Sequence, residues 1–479
     1  WLIHSENYQA LNTLQDKFKQ KIQTIYIDPP YNTGSDGFIY SDKFQNSSWL
    51  SFMQDRLDFS KIFLNETGSL FVSIGDTIKS GHVVNSNSKM QLLMSQIFGE
   101  QNYIANFIRR SSSAPKLDAK HISNAHDYVV AYAKNINDLH LNKKLANLDR
   151  FTEIDFHIKS RGKYALNKLD RGSLEYSKSL DFAIISPENT EIWPNGTEDD
   201  IRWIWRWSKD KIQWGIENDY IVFKKSKNNK WQVYYKEYEL VDNELNIRER
   251  ENPYHTFIDG FFNEFGNKEI EDLFQLRLFE YPKPSNLVKY ILEIASQTNS
   301  FILDFFAGSG TTAHATIELN KKDGGTRKYL LIEMGEHFDK VIVPRLKKVC
   351  FSDQWKDGKA QPKGKGVSQF FKYFSLEQYE ETLALSKYED KNPLPDNIYS
   401  QYLFFKDLKL APLAFENDSA EFRVDLRSLH PKIDIAETLS HLLGKMIAKI
   451  NKDSVVFSDG TVIDLENLDY KYIKRLIWW

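Results

Sequence analysis

The chain has 479 residues, with 63 Lys or Arg against 66 Asp or Glu and a formal net charge of −3. That length exceeds one ordinary core and points to roughly two to four domains, and the balanced charge excludes a protein that binds polyanions through overall charge. A single cysteine, Cys350, excludes a disulfide framework or a cysteine-rich zinc site and fits a reducing cytoplasm. No apolar run is long enough to span a bilayer, and no signal-peptide pattern is present. The chain opens on Trp1 in place of Met and enters helical pattern quickly, which reads as a fragment lacking its first segment.

In chain order, Ile22–Ile27 reads as a short buried strand that ends at Asp28-Pro29-Pro30-Tyr31. The tetrapeptide admits two readings. Asp and Pro are common turn residues, so a strand ending in a Pro-rich turn is one. The other is methylation of an exocyclic amine such as N6 of adenine, whose lone pair is delocalised into the ring. Asp28 and the Pro29 carbonyl are candidate acceptors for its two N–H groups, drawing the nitrogen toward a tetrahedral shape. Pro30 would shape the loop, and Tyr31 offers an aromatic face to an extruded base.

Trp49–Leu64 has apolar residues at helical spacing, Leu70–Ile74 is β-rich, Met90–Phe98 is helical, and Ile104–Ile108 and Tyr128–Ala133 are strand-like. This alternation predicts a mostly parallel α/β sheet with helices on both faces. From about residue 136 to 265 charged and aromatic residues mix without a clean period, with short β-like pieces at Tyr220–Phe223 and Trp231–Tyr235. Between Arg202 and Lys209, aromatic and basic residues alternate. An amphipathic strand would bury Trp203, Trp205 and Trp207 and turn Arg202, Arg206 and Lys209 outward, toward phosphates. Arg109, Arg161 and Arg171 are further candidates for nucleic-acid contact or for ion pairs. The α/β pattern returns near 270, with Leu287–Ala295 and Gly310–Asn320 helical and Phe301–Phe306 and Lys328–Glu333 as strands. Gln354–Gly366 reads as a linker, Phe374–Leu385 as a helix and Asn392–Asp396 as a break. The last ~80 residues read as a small α+β unit whose clearest helix is Ile433–Ile450.

The second motif is Asp304-Phe305-Phe306-Ala307-Gly308-Ser309-Gly310-Thr311-Thr312, which follows an apolar strand and opens a helix. In that setting glycines let the backbone approach a ligand and the helix start offers free N–H groups. No lysine follows Gly310, which speaks against a phosphate-binding loop, while Ala313 leaves a dinucleotide loop open. Asp304 favours S-adenosylmethionine, whose ammonium an acid there can meet, and Glu333 ends the next strand where an acid would hold ribose hydroxyls. Turn capping by Asp304 and a solvated Glu333 are the structural alternatives. No metal site is expected.

With both motifs in place, the chain resembles the β class of amino-methylating DNA methyltransferases, in which Asp-Pro-Pro-Tyr precedes Phe-x-Gly-x-Gly with the target recognition domain between. Residues 25–34, 49–57, 68–74, 281–284 and 304–312 are more closely similar to the Mod (modification) subunit of type III restriction-modification systems, a resemblance reaching from residue 1 to about 380. It implies a Rossmann-like, S-adenosylmethionine-dependent α/β fold with circularly permuted motif order, an inserted target recognition domain and a small α+β C-terminal domain. The implied parts are a catalytic half at 1–135, recognition at 136–265, a cofactor half at 266–355, and 356–479 for dimer or partner contacts.

By the same resemblance Asp28, Pro29, Pro30 and Tyr31 are catalytic. Phe306, Gly308, Gly310 and Thr311 wrap S-adenosylmethionine, with Asp304 beside it and Glu333 on its ribose; Lys283, Pro284 and Ser285 close over its methionine end. Ser5-Glu6-Asn7 stands where the family has Gly-Asp-Asn, which leaves Glu6 as a cofactor contact, and His126-Asp127-Tyr128 falls near the target base or in the core.

The expected function is sequence-specific methylation of N6 of a flipped adenine in double-stranded DNA, without a covalent enzyme intermediate; Cys350 reads as structural. A solitary, type II-like enzyme and cytosine-N4 methylation are alternatives within the same chemistry. A non-enzymatic alternative is a DNA-recognition subunit for a helicase–nuclease partner. The resemblance also implies a homodimer, a restriction (Res) subunit as partner, and a bacterial cytoplasmic, nucleoid-associated location.

Overall fold

The computed structural model describes residues 1–31, 46–79, 82–114, 122–172, 175–196, 198, 202–376, 433–469 and 472. The chain divides into two compact units, residues 1–142 with 255–479, and residues 143–254.

The larger unit is built on a nine-stranded sheet. Its strands are β1 (Leu2–His4), β2 (Ile22–Ile27), β3 (Leu64–Ile74), β4 (Tyr103–Arg110), β5 (His126–Ala133), β6 (Phe257–Ile258), β7 (Phe301–Asp304), β8 (Lys328–Glu333) and β9 (Tyr373–Ser375). They lie in the order β6-β4-β5-β3-β2-β7-β8-β1-β9. Only β5 runs antiparallel to its neighbours; the remaining pairs are parallel. Every residue of β2 is buried, the polar Gln23 and Thr24 included, which suits a parallel strand covered on both faces. The helices of this unit include α1 (Asn7–Phe18), α2 (Asn46–Phe63), α3 (Ser86–Phe98), α4 (Asn263–Phe274), α5 (Ser285–Ala295), α6 (Thr311–Asp323), α7 (Val343–Phe351) and α8 (Ile435–Leu442). α1 shows the usual helical spacing, with Ala10, Leu11, Leu14 and Phe18 in the core beside Ile25, Leu57 and Leu303.

The chain leaves β2 through α2 toward β3, and leaves β7 through α6 toward β8, on opposite sides of the β2–β7 pair. The winding therefore reverses between these two strands. In open α/β sheets the crevice beyond the strand carboxyl ends at such a point is where ligands bind. Residues 28–31 and 304–310, distant in sequence, emerge there side by side.

The smaller unit holds a three-stranded antiparallel sheet of Tyr164–Lys168, Ile221–Lys225 and Trp231–Tyr238. Leu169, Trp205, Trp207, Tyr220, Val233 and Tyr238 lie in its core. The expected alternation holds only in part. Trp205 and Trp207 are buried and Arg202, Arg206 and Lys209 exposed, but Trp203 is half-buried and Ile204 fully covered, because the short strand Trp203–Trp205 is enclosed on both of its sides.

Two further expectations are corrected. The helix expected over 433–450 is α8 alone: Gly444 takes a left-handed φ of +65°, and Ile447–Ile450 then pairs as a strand with Ser454–Phe457. Where a helix is expected from Phe374, the structure has β9, paired in parallel with β1; residues 377–385 and 392–396 lie outside the described residues.

α4 packs on the Tyr281–Pro284 segment through Gly266, where a Cβ would lie 2.1 Å from the Pro282 carbonyl oxygen. Gly266→Ala is expected to lower the unfolding free energy by about 1–3 kcal/mol, as overpacking does. A denaturant titration checks this, and an unchanged midpoint would mean that the helix has room to move.

Candidate active site

Asp28 stands immediately after β2, and its carboxylate is held by two groups. The Lys283 ammonium lies 2.7 Å from each oxygen, and the Tyr31 hydroxyl donates to Oδ1 at 2.9 Å. The same ammonium donates to the Tyr31 oxygen at 2.9 Å and lies 5.0 Å from the ring centroid. Burial, with the Asp28 charge, pushes the Tyr31 phenol well above its ordinary range, so the hydroxyl stays a donor. The loop itself is tied down: Trp49 Nε1 donates to the Pro30 carbonyl at 2.9 Å and Ser86 Oγ to the Tyr31 carbonyl at 2.7 Å. Gly75 makes room for the Tyr31 ring, since a Cβ there would lie 3.0 Å from it. No group among the described residues donates to the Pro29 carbonyl. Asn32-Thr33-Gly34, the end of the motif stretch, lies outside the described residues.

Asp127, on β5, approaches Arg109 Nε at 2.7 Å, and Arg109 Nη2 donates to Asn263 Oδ1. Burial raises the Asp127 carboxyl above its ordinary range, with Arg109 opposing the shift. Arg109 is fully buried, which removes it from the candidates for phosphate contact. Arg161 is corrected in the same way. Only 8% exposed, it donates to the Asn218 carbonyl at 2.7 Å and lies over the rings of Tyr220 and Tyr238. Arg171, Arg202, Arg206 and Lys209 are exposed.

At the end of β7, Asp304 is 3% exposed; its Oδ1 accepts the Phe306 N–H at 3.0 Å and its Oδ2 the Thr312 hydroxyl. Burial pushes this carboxyl up to about 7, against those two hydrogen bonds. Gly308 and Gly310 take left-handed φ of +53° and +79°, a conformation that favours glycine, and Phe306 is buried in the core. Glu333, 2% exposed at the end of β8, accepts N–H bonds from Gly308 at 2.9 Å, Met334 at 2.9 Å and Gly335 at 3.1 Å. It is a buried brace of the glycine loop and not a solvated strand end. Thr311 Oγ1 donates to the Lys283 carbonyl at 3.2 Å, and Ser285 gives both N–H and hydroxyl to Glu269.

Several of these partners escape sequence reasoning. Glu269 on α4 accepts from Ser285 and from Arg345 on α7, whose fully buried guanidinium also donates to Ser309 and Thr311. Neither residue lies in a motif or at a telling spacing. Glu6 caps α1 by accepting from Gln9 N and pairs with Arg56. Its neighbour Asn7 reaches the glycine loop instead, donating to the Phe305 carbonyl at 2.9 Å. Lys283 is expected at the cofactor end of the site, and its ammonium lies on Asp28.

The family model N6_N4_Mtase, described as DNA methylase, matches residues 22–344. The chain belongs to this DNA methylase family. One relative is the StyLTI Mod subunit of a type III restriction-modification enzyme from Salmonella typhimurium strain LT2, 30% identical over 69% of this chain and 51% of its own length. Another is the type II methyltransferase M.KpnI from Klebsiella pneumoniae, 31% identical over 71% of this chain and 81% of its own. Among solved structures, PvuII DNA methyltransferase (cytosine-N4-specific) aligns at 10% identity and a TM-score of 0.39, covering 72% of this chain and 85% of that one. The chain spans about half the length of the type III relative. Its Cys350 is half-buried, and burial pushes the thiol up to about 11, which suits a packing role. No helix among the described residues is long and apolar enough to cross a membrane.

Removing one partner of a buried ion pair strands the other charge and costs roughly 3–5 kcal/mol, whereas an apolar pair of similar volume is close to neutral. Arg109→Met is therefore expected to lower stability by that amount and Arg109→Met/Asp127→Leu to recover most of it. Equal unfolding midpoints for the single and double variants would refute the pairing.

Proposed function

We propose that this chain transfers a methyl group from S-adenosylmethionine to N6 of an adenine flipped out of double-stranded DNA. The observation that carries this reading is the meeting, at the β2–β7 reversal, of an amine-accepting loop at Asp28–Tyr31 with a glycine-rich turn at Asp304–Gly310. The residues present fit the cofactor: Gly308 and Gly310 offer backbone without side chains, Asp304 suits an ammonium, and Glu333 keeps one lone pair, on Oε2, for a ribose hydroxyl beyond its three N–H bonds. When bound, S-adenosylmethionine supplies a methyl group already activated by its sulfonium. Asp28 accepts one N–H of the target amine, the Pro29 carbonyl accepts the other, and Tyr31 stacks on the base. Alignment of the nitrogen lone pair supplies much of the acceleration.

The reading extends to a type III Mod subunit that acts as a dimer, recognises DNA through residues 143–254, and works with a Res helicase–nuclease. The similarity to StyLTI Mod supports it. Similarity to M.KpnI, matched over more of its length, favours the second reading of a solitary, type II-like methyltransferase. Affinity purification decides: an ATPase that co-purifies in stoichiometric amount indicates the type III assembly. Asp28, where cytosine-N4 enzymes of the class usually have Ser, favours adenine.

Modification-sensitive sequencing of DNA from cells expressing the chain should show N6-methyladenine in one short context. Asp28→Ala should reduce methylation by roughly 10²–10³-fold, the usual cost of removing a preorganised electrostatic partner, with cofactor affinity retained. Full methylation by that variant would sink the proposal. Asp304 adds a pH dependence. With its carboxyl raised to about 7, it is neutral below that pH and must lose a proton before meeting a cationic ligand. Affinity for S-adenosylmethionine, measured by calorimetry, should fall up to about tenfold per pH unit below 7. Asp304→Asn should flatten that slope, and an unchanged slope would leave Asp304 as a turn cap alone.

A further inference from the structure

The position of the Lys283 ammonium goes beyond closure over a cofactor. Its three N–H bonds find three acceptors, Asp28 Oδ1 and Oδ2 at 2.7 Å each and the Tyr31 oxygen at 2.9 Å. A cation equidistant from both carboxylate oxygens covers the open edge of Asp28, from which an amine would approach to donate. The Lys283 backbone is fixed on the glycine-loop side by the Thr311 hydroxyl, so a flexible four-carbon stem alone reaches across.

The surrounding charges give that cation a second consequence. The charge of Asp28 is felt by the carboxyls of Asp127 and Asp304 and the phenols of Tyr26 and Tyr31. Arg109 is engaged with Asp127 and Asn263. Among the described residues, Lys283 is the cation in contact with Asp28.

Resting on the methyl-transfer reading above, we propose that Lys283 is a positioning residue for the reaction: its ammonium balances the acids gathered here and aims the Asp28 carboxylate as an acceptor, then yields that edge to the target amine as the base enters. The order of contacts is an exchange of one N–H donor for another on the same carboxylate. No atom is transferred to or from Lys283.

The test compares kcat and KM for methylation of a duplex carrying the mapped site in the intact chain, Lys283→Met and Lys283→Arg. Far-ultraviolet circular dichroism serves as the control for folding. In Lys283→Met kcat should fall roughly 10²-fold with the KM for the duplex little changed, the usual cost of a misaligned reacting group. Lys283→Arg keeps the charge and should recover part of kcat. A Lys283→Met kcat equal to that of the intact chain overturns the proposal. Should Lys283→Met fail to fold, acylation of Lys283 in the intact chain, mapped by mass spectrometry, decides. Labelling should rise several-fold when the duplex and S-adenosylhomocysteine are added, and unchanged labelling overturns the exchange. An intact chain that methylates no DNA defeats the underlying reading instead, which is a separate result.

Discussion

The parallel pairing of β2 with β7 is the constraint on which the candidate site depends. Leu303 lies beside Ile25 in that register, so both strands end together and Asp28 and Asp304 leave the sheet at one edge. Position-specific contacts hold the buried strand in place: Thr24 Oγ1 donates to the Ala295 carbonyl at 2.9 Å and the Tyr26 hydroxyl meets Ser73 Oγ at 2.8 Å, bonds that a one-residue slip would break. Everything that braces the two loops then comes from other parts of the chain. Asn7 holds the Phe305 carbonyl from α1, Arg345 holds Ser309 from α7, and Lys283 touches both loops, through its carbonyl on one side and its ammonium on the other.

Four acids gather at this edge, and they are satisfied in two ways. Glu333 and Asp304 accept from neutral donors: Phe306 N–H, Gly308 N–H and the Thr312 hydroxyl of the glycine-rich segment, with Met334 and Gly335 N–H after β8. Releasing such a bond would leave a buried donor unpaired at a cost of roughly 1–3 kcal/mol, so these two acids set the loop shape. Asp127 and Asp28 hold cations instead. Arg109 is enclosed and cannot leave, whereas a lysine on an aliphatic stem can carry its charge back to water at modest cost. The replaceable partner thus sits on the acid proposed to meet substrate, and the permanent ones sit behind it.

The parts legible in the sequence were those whose signal is local. The run Ile22–Ile27, the glycines 308 and 310 and the helical spacing of α2, α3 and α5 each state their structure within a few residues. What escaped depends on distant chain. Nothing near Arg109 announces Asp127 and Asn263, and nothing near Arg345 announces Glu269, because these pairs are made by sheet order and helix packing. The overlong helix at 433–450 failed for a nearer reason: its apolar spacing continues past Gly444, but the left-handed turn there diverts the chain into a strand. Lys283 lay in a recognised segment, yet motif membership specifies a neighbourhood and not which of two loops a long side chain will reach.

The inserted unit shows why aromatic and basic residues in alternation do not by themselves mark a nucleic-acid surface. Trp205, Trp207, Tyr220 and Tyr238 form a core, and Arg161 is part of it, stacked on two of those rings and bonded to a carbonyl. Taking that arginine away from its partners would unpair the Asn218 carbonyl and break the ring contacts, so it is unsuited to transient contact with phosphate. Once it is set aside, the exposed basic residues fall into register. Arg171 lies opposite Ile204 in the Asp170–Gly172 ribbon, Arg202 and Arg206 flank the paired strand Trp203–Trp205, and Lys209 opens the helix Lys209–Glu217 that follows. A buried aromatic layer that stiffens this ribbon would hold those cations at fixed spacing, the condition under which phosphate contacts fix the register of a protein on a duplex. In the proposed recognition unit the tryptophans would then act on DNA only indirectly, by making the ribbon rigid.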